Sequence, residues 1–185
     1  MALLVAGLLI FFTVHFLPSM TSLRGKLIGR YGEGIYKLGF SLMAAVGLLL
    51  IIVGVSEAPY VPLYEPPAFG RMLAIPLVFL ALYFVIGRRA GCRVRKLTAH
   101  PMLVGVSLWA VAHLLANGDL MSILLFGSFL TYSVTDIVLA NRRGAKKGEV
   151  TASWSKELLV LFVVAAVFLF LVWAHRYYAG MPLMP

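Results

Sequence analysis

Pro101-Met-Leu-Val-Gly105-Val-Ser-Leu-Trp109-Ala-Val-Ala-His113-Leu-Leu-Ala116-Asn117-Gly118-Asp119-Leu120 runs straight into a second apolar segment that ends at Ala140. Its apolar part, Met102–Ala116, reads as a helix, and Leu120–Ala140 reads as another. Asn-Gly-Asp between them is a tight-turn signal. Two apolar helices joined by three residues must be antiparallel neighbours. The pattern extends outward to four more runs, Ala2–Leu17, Leu38–Val55, Met72–Ile86 and Leu158–Ala174. Several are near the lower limit of about 17–20 residues that cross a bilayer, and Pro18 is placed to kink the first.

Composition supports the same reading. The chain of 185 residues is 62% hydrophobic and 12% charged, against about 25% charged in soluble domains. The expected fold is all-α: a polytopic transmembrane bundle of about six spans. It forms one domain over 1–178, with a short tail over 179–185. The first run lacks a basic leader and a small-residue cleavage site, so it reads as a retained span.

The net charge of +9 does not point to nucleic acid, because the basic residues fall between apolar runs. Arg24, Lys26, Arg30 and Lys37 share the first loop. Arg88, Arg89, Arg93, Arg95 and Lys96 share the third. Arg142, Arg143, Lys146, Lys147 and Lys156 share the fifth. Only Arg71 and Arg176 lie elsewhere. Basic loops stay in the cytoplasm, so both termini are expected outside it, in a multi-pass protein whose first partner is the lipid bilayer. The other loops differ: Glu57–Pro67 is rich in Pro and Tyr, and Trp173, Tyr177 and Tyr178 form an aromatic belt. Residues 25–34 are glycine-rich without a dinucleotide fingerprint, and Glu33 pairs at helical spacing with Arg30 or Lys37 in a short interfacial helix.

Ionisable side chains inside hydrocarbon are expensive and face partners. His15 lies in the first run, on a face with Phe11, Phe12, Pro18 and Ser19. His113 lies in the fourth, one turn after Trp109 and one turn before Asn117, with Gly105 continuing the stripe. Imidazoles from two helices are one way to hold a haem iron in a bilayer. Gly105 and Trp109 suit a thin slot, and Asn117 suits the fixing of an imidazole tautomer. His100, before Pro101, reads as a residue near a helix cap and as an alternative ligand. His15 and His113 differ in depth by roughly 10 Å on a rise of 1.5 Å per residue, and His15 and His100 are expected closer in level, so either pair remains open. His175 reads as an interface anchor. Asp136, an acidic residue within a span, is expected to meet an arginine or a donor such as Tyr132. Arg24, Arg95 and Lys96 are candidate partners for haem propionates. Cys92 is the sole cysteine, so no internal disulfide and no thioether-linked haem is expected. No hydrolytic triad or zinc spacing is present.

His100-Pro-Met-Leu-Val-Gly-Val-Ser-Leu-Trp109-Ala-Val-Ala-His113-Leu-Leu-Ala-Asn117-Gly118-Asp119, with Asn141-Arg142-Arg143 beyond it, resembles the NnrU family. So does the first segment: His15, Ser22-Leu23-Arg24 and Gly32-Glu33-Gly34-Ile35-Tyr36-Lys37-Leu38-Gly39-Phe40-Ser41-Leu42. The likeness covers most of residues 1–143. It implies a bacterial inner-membrane protein associated with denitrification, that is, with nitrite and nitric oxide reduction. A plant relative, the 15-cis-ζ-carotene isomerase, carries haem b, and its two histidine ligands fall by resemblance on His15 and His113. Its ligand-switching cysteine falls on Ala110, and the arginine usual in the family before His-Pro is Ala99 here. Three functions follow as expectations. The first is a haem b protein of nitrogen-oxide respiration, ligated by His15 and His113 with Trp109 and Asn117 in support. The second is a haem-dependent cis–trans isomerase of a polyene or similar hydrophobic small molecule. The third is a haem-free accessory or assembly protein.

Overall fold

The computed structural model describes residues 1–179. Residues 180–185, nearly all of the expected tail, lie outside the described residues, as does the side chain of Tyr178. The chain is helical, as its apolar runs require: α1 Ala2–Phe16, a 3-10 turn Leu17–Ser19, α2 Thr21–Tyr31, α3 Glu33–Ser56, α4 Gly70–Ala90, α5 Val94–Leu97, α6 Pro101–Ala116, α7 Leu120–Arg142 and α8 Trp154–Tyr178. Pro18 produces the 3-10 turn that ends the first span.

The helices outrun the apolar segments. α3 begins at Glu33 and α8 at Trp154, a turn ahead of their hydrophobic runs. Backbone groups near hydrocarbon must be paired within the helix, so the hydrogen-bond ladder continues through the interfacial residues. Among the described residues five helices are long and apolar enough to cross a membrane. The exception is α6, whose 16 residues rise about 24 Å. It packs against α4 and α7, both longer than itself. Around the bundle the helices neighbour one another in the order α3, α1, α7, α6, α4, α8. The three basic loops gather at one end, called here the basic end.

Small residues set the close approaches. A Cβ on Gly7 would lie 2.7 Å from the Ile51 amide nitrogen and 2.8 Å from the Gly47 carbonyl oxygen. The α1/α3 backbones therefore touch, and Leu4, Leu8 and Ile51 are buried beside this seam. Gly105 does the same for α6 against α4, with Ala81 O at 2.8 Å from a built Cβ. It packs helices and does not line a ligand slot, contrary to the sequence expectation. A second core forms where α8 meets α4 and the third loop, around Phe84, Cys92, Val94, Val160 and Val164.

At the end opposite the basic loops, Pro62 bridges Asp119 in the α6–α7 turn. Leu63 and Tyr64 both donate to the Gly118 carbonyl. The Pro/Tyr-rich loop is thus strapped over the turn. Asp119 is a true N-cap, accepting from Ser122 N at 3.0 Å, which satisfies one of the donors a helix start leaves unpaired.

Candidate functional site: two imidazoles on an aromatic ladder

His15 closes the last turn of α1. Its Nδ1 lies 2.7 Å from the carbonyl of Phe11, one turn back. His113 repeats the arrangement on α6, with Nδ1 2.8 Å from the carbonyl of Trp109. A carbonyl oxygen can only accept, so Nδ1 carries the proton in both rings. In the neutral imidazole the lone pair then sits on Nε2, turned away from the helix that bears it. Each ring is also held by stacking. Phe11 covers His15 at 4.0 Å and 25°, and Phe126 covers His113 at 4.3 Å and 21°. Rotamer and tautomer are therefore both fixed before anything binds.

Aromatic rings link the two histidines. Phe11 meets Phe129 at 5.7 Å, Phe129 meets Trp109 at 5.4 Å, and Trp109 meets His113 at 5.1 Å. Phe12 and Phe16 of α1 pack on Tyr132. The seam between α1, α6 and α7 is thus lined by rings with an imidazole at each end. α7 measures the offset. His113 lies beside Phe126 and His15 beside Tyr132, six residues or about 9 Å apart along the axis. His100 instead bonds Asn141 Oδ1 through Nε2 at 2.8 Å, about 13 Å along α7 from Tyr132. The sequence expectation that His15 and His100 share a level is reversed: His113 is nearer in level.

Two supporting roles shift as well. The expected second-shell partner Asn117 does not touch the imidazole of His113. Its amide donates to the His113 carbonyl at 2.9 Å and caps the end of α6. The tautomer is set by the Trp109 carbonyl. Tyr64, read only as part of a surface loop, places its hydroxyl on the carbonyls of Leu114 and Asn117. Burial and then the nearby Asp119 carboxylate push the Tyr64 phenol above its usual value, so it stays a donor at neutral pH.

Asp136 meets the expected arginine: Arg143 lies 3.8 Å away. Its hydroxyl donor is Ser19 at 2.6 Å, while Tyr132 reaches the His15 carbonyl at 3.4 Å. Arg143 also donates to Ser19. The turn behind His15 is therefore clamped to α7. Arg95, a suggested propionate partner, is bonded to the carbonyls of Arg88 and Glu149.

Glu157 escaped the sequence reading. It is 4% exposed, accepts from the Tyr83 hydroxyl, and forms an ion pair with Arg93 at 2.8 Å. The Arg93 amide also donates to it, and the Arg93 guanidinium lies 3.4 Å over the Trp154 ring. Burial, followed by the Glu157 carboxylate, raises the adjacent Cys92 thiol above its usual value. The only sequence signal was one acid at the head of an otherwise apolar run.

Among the described residues no three His, Cys, Asp or Glu side chains form a metal cage. What the seam offers a haem iron is imidazole: two Nε2 lone pairs of fixed tautomer inside an aromatic, low-dielectric wall. As imidazole donors they suit iron. Phe11, Phe129 and Trp109 occupy the space between them, so one haem meeting both imidazoles would have to displace these rings.

A helical bundle of apolar spans with ionisable rings in its interior is the architecture of a multi-pass membrane protein. This chain belongs to the NnrU protein family, whose description matches residues 3–183. Neither a curated protein nor a solved structure matches it.

Proposed function

We propose that this protein holds haem b in the seam between α1, α6 and α7, with His15 and His113 as its protein ligands, and serves nitrogen-oxide respiration in a bacterial inner membrane. One observation carries the proposal: two intramembrane histidines each donate Nδ1–H to a carbonyl one turn back, which leaves Nε2 as the coordinating atom. The link to denitrification rests on what the NnrU resemblance implies. When bound, the haem would supply an iron able to pass one electron. The chain's own residues do the rest. Phe11 and Phe126 orient the rings, the wall of Phe12, Phe129 and Trp109 excludes water, and the Ser19–Asp136–Arg143 clamp fixes the end of α1.

The test is the absorption spectrum of purified protein, oxidised and then reduced, with a pyridine haemochrome for stoichiometry. The expected result is a b-type spectrum near one haem per chain. His15→Ala and His113→Ala should each lose most of it, while His100→Ala, which breaks only the Asn141 contact, should keep it. Haem retained in both of the first two variants overturns the ligand assignment.

A second reading keeps the histidines structural, in a haem-free accessory protein. It is favoured by the stacked Phe partners and by the rings that fill the seam, and a colourless protein expressed with added haem would support it. The isomerase reading lacks its ligand-switching thiol, because Ala110 is fully buried and offers no ligating atom. Turnover of a cis-polyene under reducing conditions tests it.

A further inference from the structure

Helix α2 is hard to justify from its own chain. It has 11 residues, no side-chain cap and no buried residue. Isolated helices shorter than about 12–15 residues are marginal in water, and Gly25 and Gly29 each weaken this one by about 1 kcal/mol relative to Ala. Its main neighbours are α3 and the 3-10 turn, toward which only Leu27 and Ile28 are half-buried.

The rest of its surface is sorted. Met20, Leu23 and Tyr31 line one edge at helical spacing and are 54%, 39% and 49% exposed. Ser22, Lys26 and Arg30 form a second line, with Gly25 and Gly29 beside them, and nothing lies within 4 Å of a Cβ built on either glycine. Arg24 falls at helical spacing beside Met20 and Tyr31, on the side away from Lys26 and Arg30. α2 carries no acid, and Glu33 just beyond it is bonded to Lys37 at 2.8 Å. Among the described residues none of Arg24, Lys26 and Arg30 lies within 4 Å of a carboxylate, although the charge of Arg24 acts on Glu33 from further away; Arg30 lies 5.3 Å from the Tyr31 ring.

We propose that α2 lies on the leaflet at the basic end and binds anionic phospholipid headgroups through Arg24, Lys26 and Arg30, and that this binding keeps it helical. An apolar edge beside a cationic edge matches an acyl chain beside a phosphate. The bare glycine strip lets the phosphate approach the backbone. A soluble acidic partner would satisfy the charges but leave Met20, Leu23 and Tyr31 in water. The consequence reaches inward, because α2 follows directly on the turn whose Ser19 is clamped by Asp136 and Arg143. The proposal stands apart from the haem reading.

The test is amide hydrogen exchange of the full chain in nanodiscs of phosphatidylcholine alone and of phosphatidylcholine mixed with phosphatidylglycerol, with α3 amides as internal reference. Each basic residue near an anionic surface is worth about 1 kcal/mol, or roughly fivefold. Exchange over α2 should therefore slow by about 150-fold in the anionic discs, and added salt should reverse this. The double variant Lys26→Gln, Arg30→Gln should lose about 30-fold of the protection, while Lys26→Arg keeps it. Equal exchange in the two lipids overturns the proposal. If it is equally slow and Leu23→Ser abolishes it, acyl burial alone holds α2; if it is equally fast, neither lipid holds it.

Discussion

Glu157→Ala should open the corner where the third and fifth loops meet α8. The substitution strands Arg93 and removes the acceptor of three donors: the Tyr83 hydroxyl, the Arg93 amide and the Arg93 guanidinium. Breaking a buried ion pair costs about 3–5 kcal/mol. Arg93 is 32% exposed and regains some hydration, so the lower end, about 3 kcal/mol, applies here. Cys92 reports the opening. It is the only cysteine of the chain, is completely buried, and donates its amide to the Gly87 carbonyl in the same corner. When reclosing outpaces labelling, the rate follows the population of the open form, and about 1.4 kcal/mol is tenfold. Maleimide labelling of Cys92 should thus accelerate by about 150-fold. Loss of the neighbouring carboxylate also eases ionisation of the thiol, so a second observable is needed. The amides of Thr151 and Ala152, bonded to the Gly91 carbonyl at 3.0 and 3.1 Å, should lose exchange protection in parallel. Glu157→Gln, which keeps an acceptor for Tyr83 and the Arg93 amide, should fall between. Labelling within threefold of the parent, with unchanged Thr151 and Ala152 protection, would refute the reasoning.

Two further outcomes are expected. Gly7→Val should destabilise the α1/α3 seam by about 1–3 kcal/mol, because the atoms its side chain meets are the backbone of Ile51 and Gly47; a melting curve in detergent checks it, and an unchanged midpoint contradicts the close approach. Stability should also fall at alkaline pH. Folded Cys92 and Tyr64 both have raised pKa values, so their contribution is complete below the ordinary thiol and phenol values and is lost as pH climbs through the raised ones. Cys92→Ala should flatten the part that begins near the thiol value, and a pH profile identical to the parent's would count against it.

The helices and the α6–α7 hairpin were legible because hydropathy and turn chemistry are local: a run of apolar residues must pair its own backbone, and Asn117-Gly118-Asp119 leaves no room for anything but a reversal. The two intramembrane histidines were legible as oddities for the same reason. Helix ends were missed by about a turn, since polar residues at the interface continue a helix past the point where its apolar composition stops. The loop strap was not visible either, because Tyr64 and Asn117 are 53 residues apart and nothing local announces the pairing.

The sequence by itself determined an all-helical, membrane-suited chain with its basic loops on alternate connections. Those properties follow from the cost of an unpaired backbone and of charge in hydrocarbon, which each segment meets alone. Only the tertiary structure decided that Trp109's carbonyl, and not Asn117, holds the tautomer of His113, that Gly105 packs α6 on α4, that His100 bonds Asn141, and that Glu157 is joined to Arg93. Each of these depends on which helix face meets which neighbour. That choice is made by close packing between helices distant in sequence, where one glycine or one ring changes which polar atoms can reach each other.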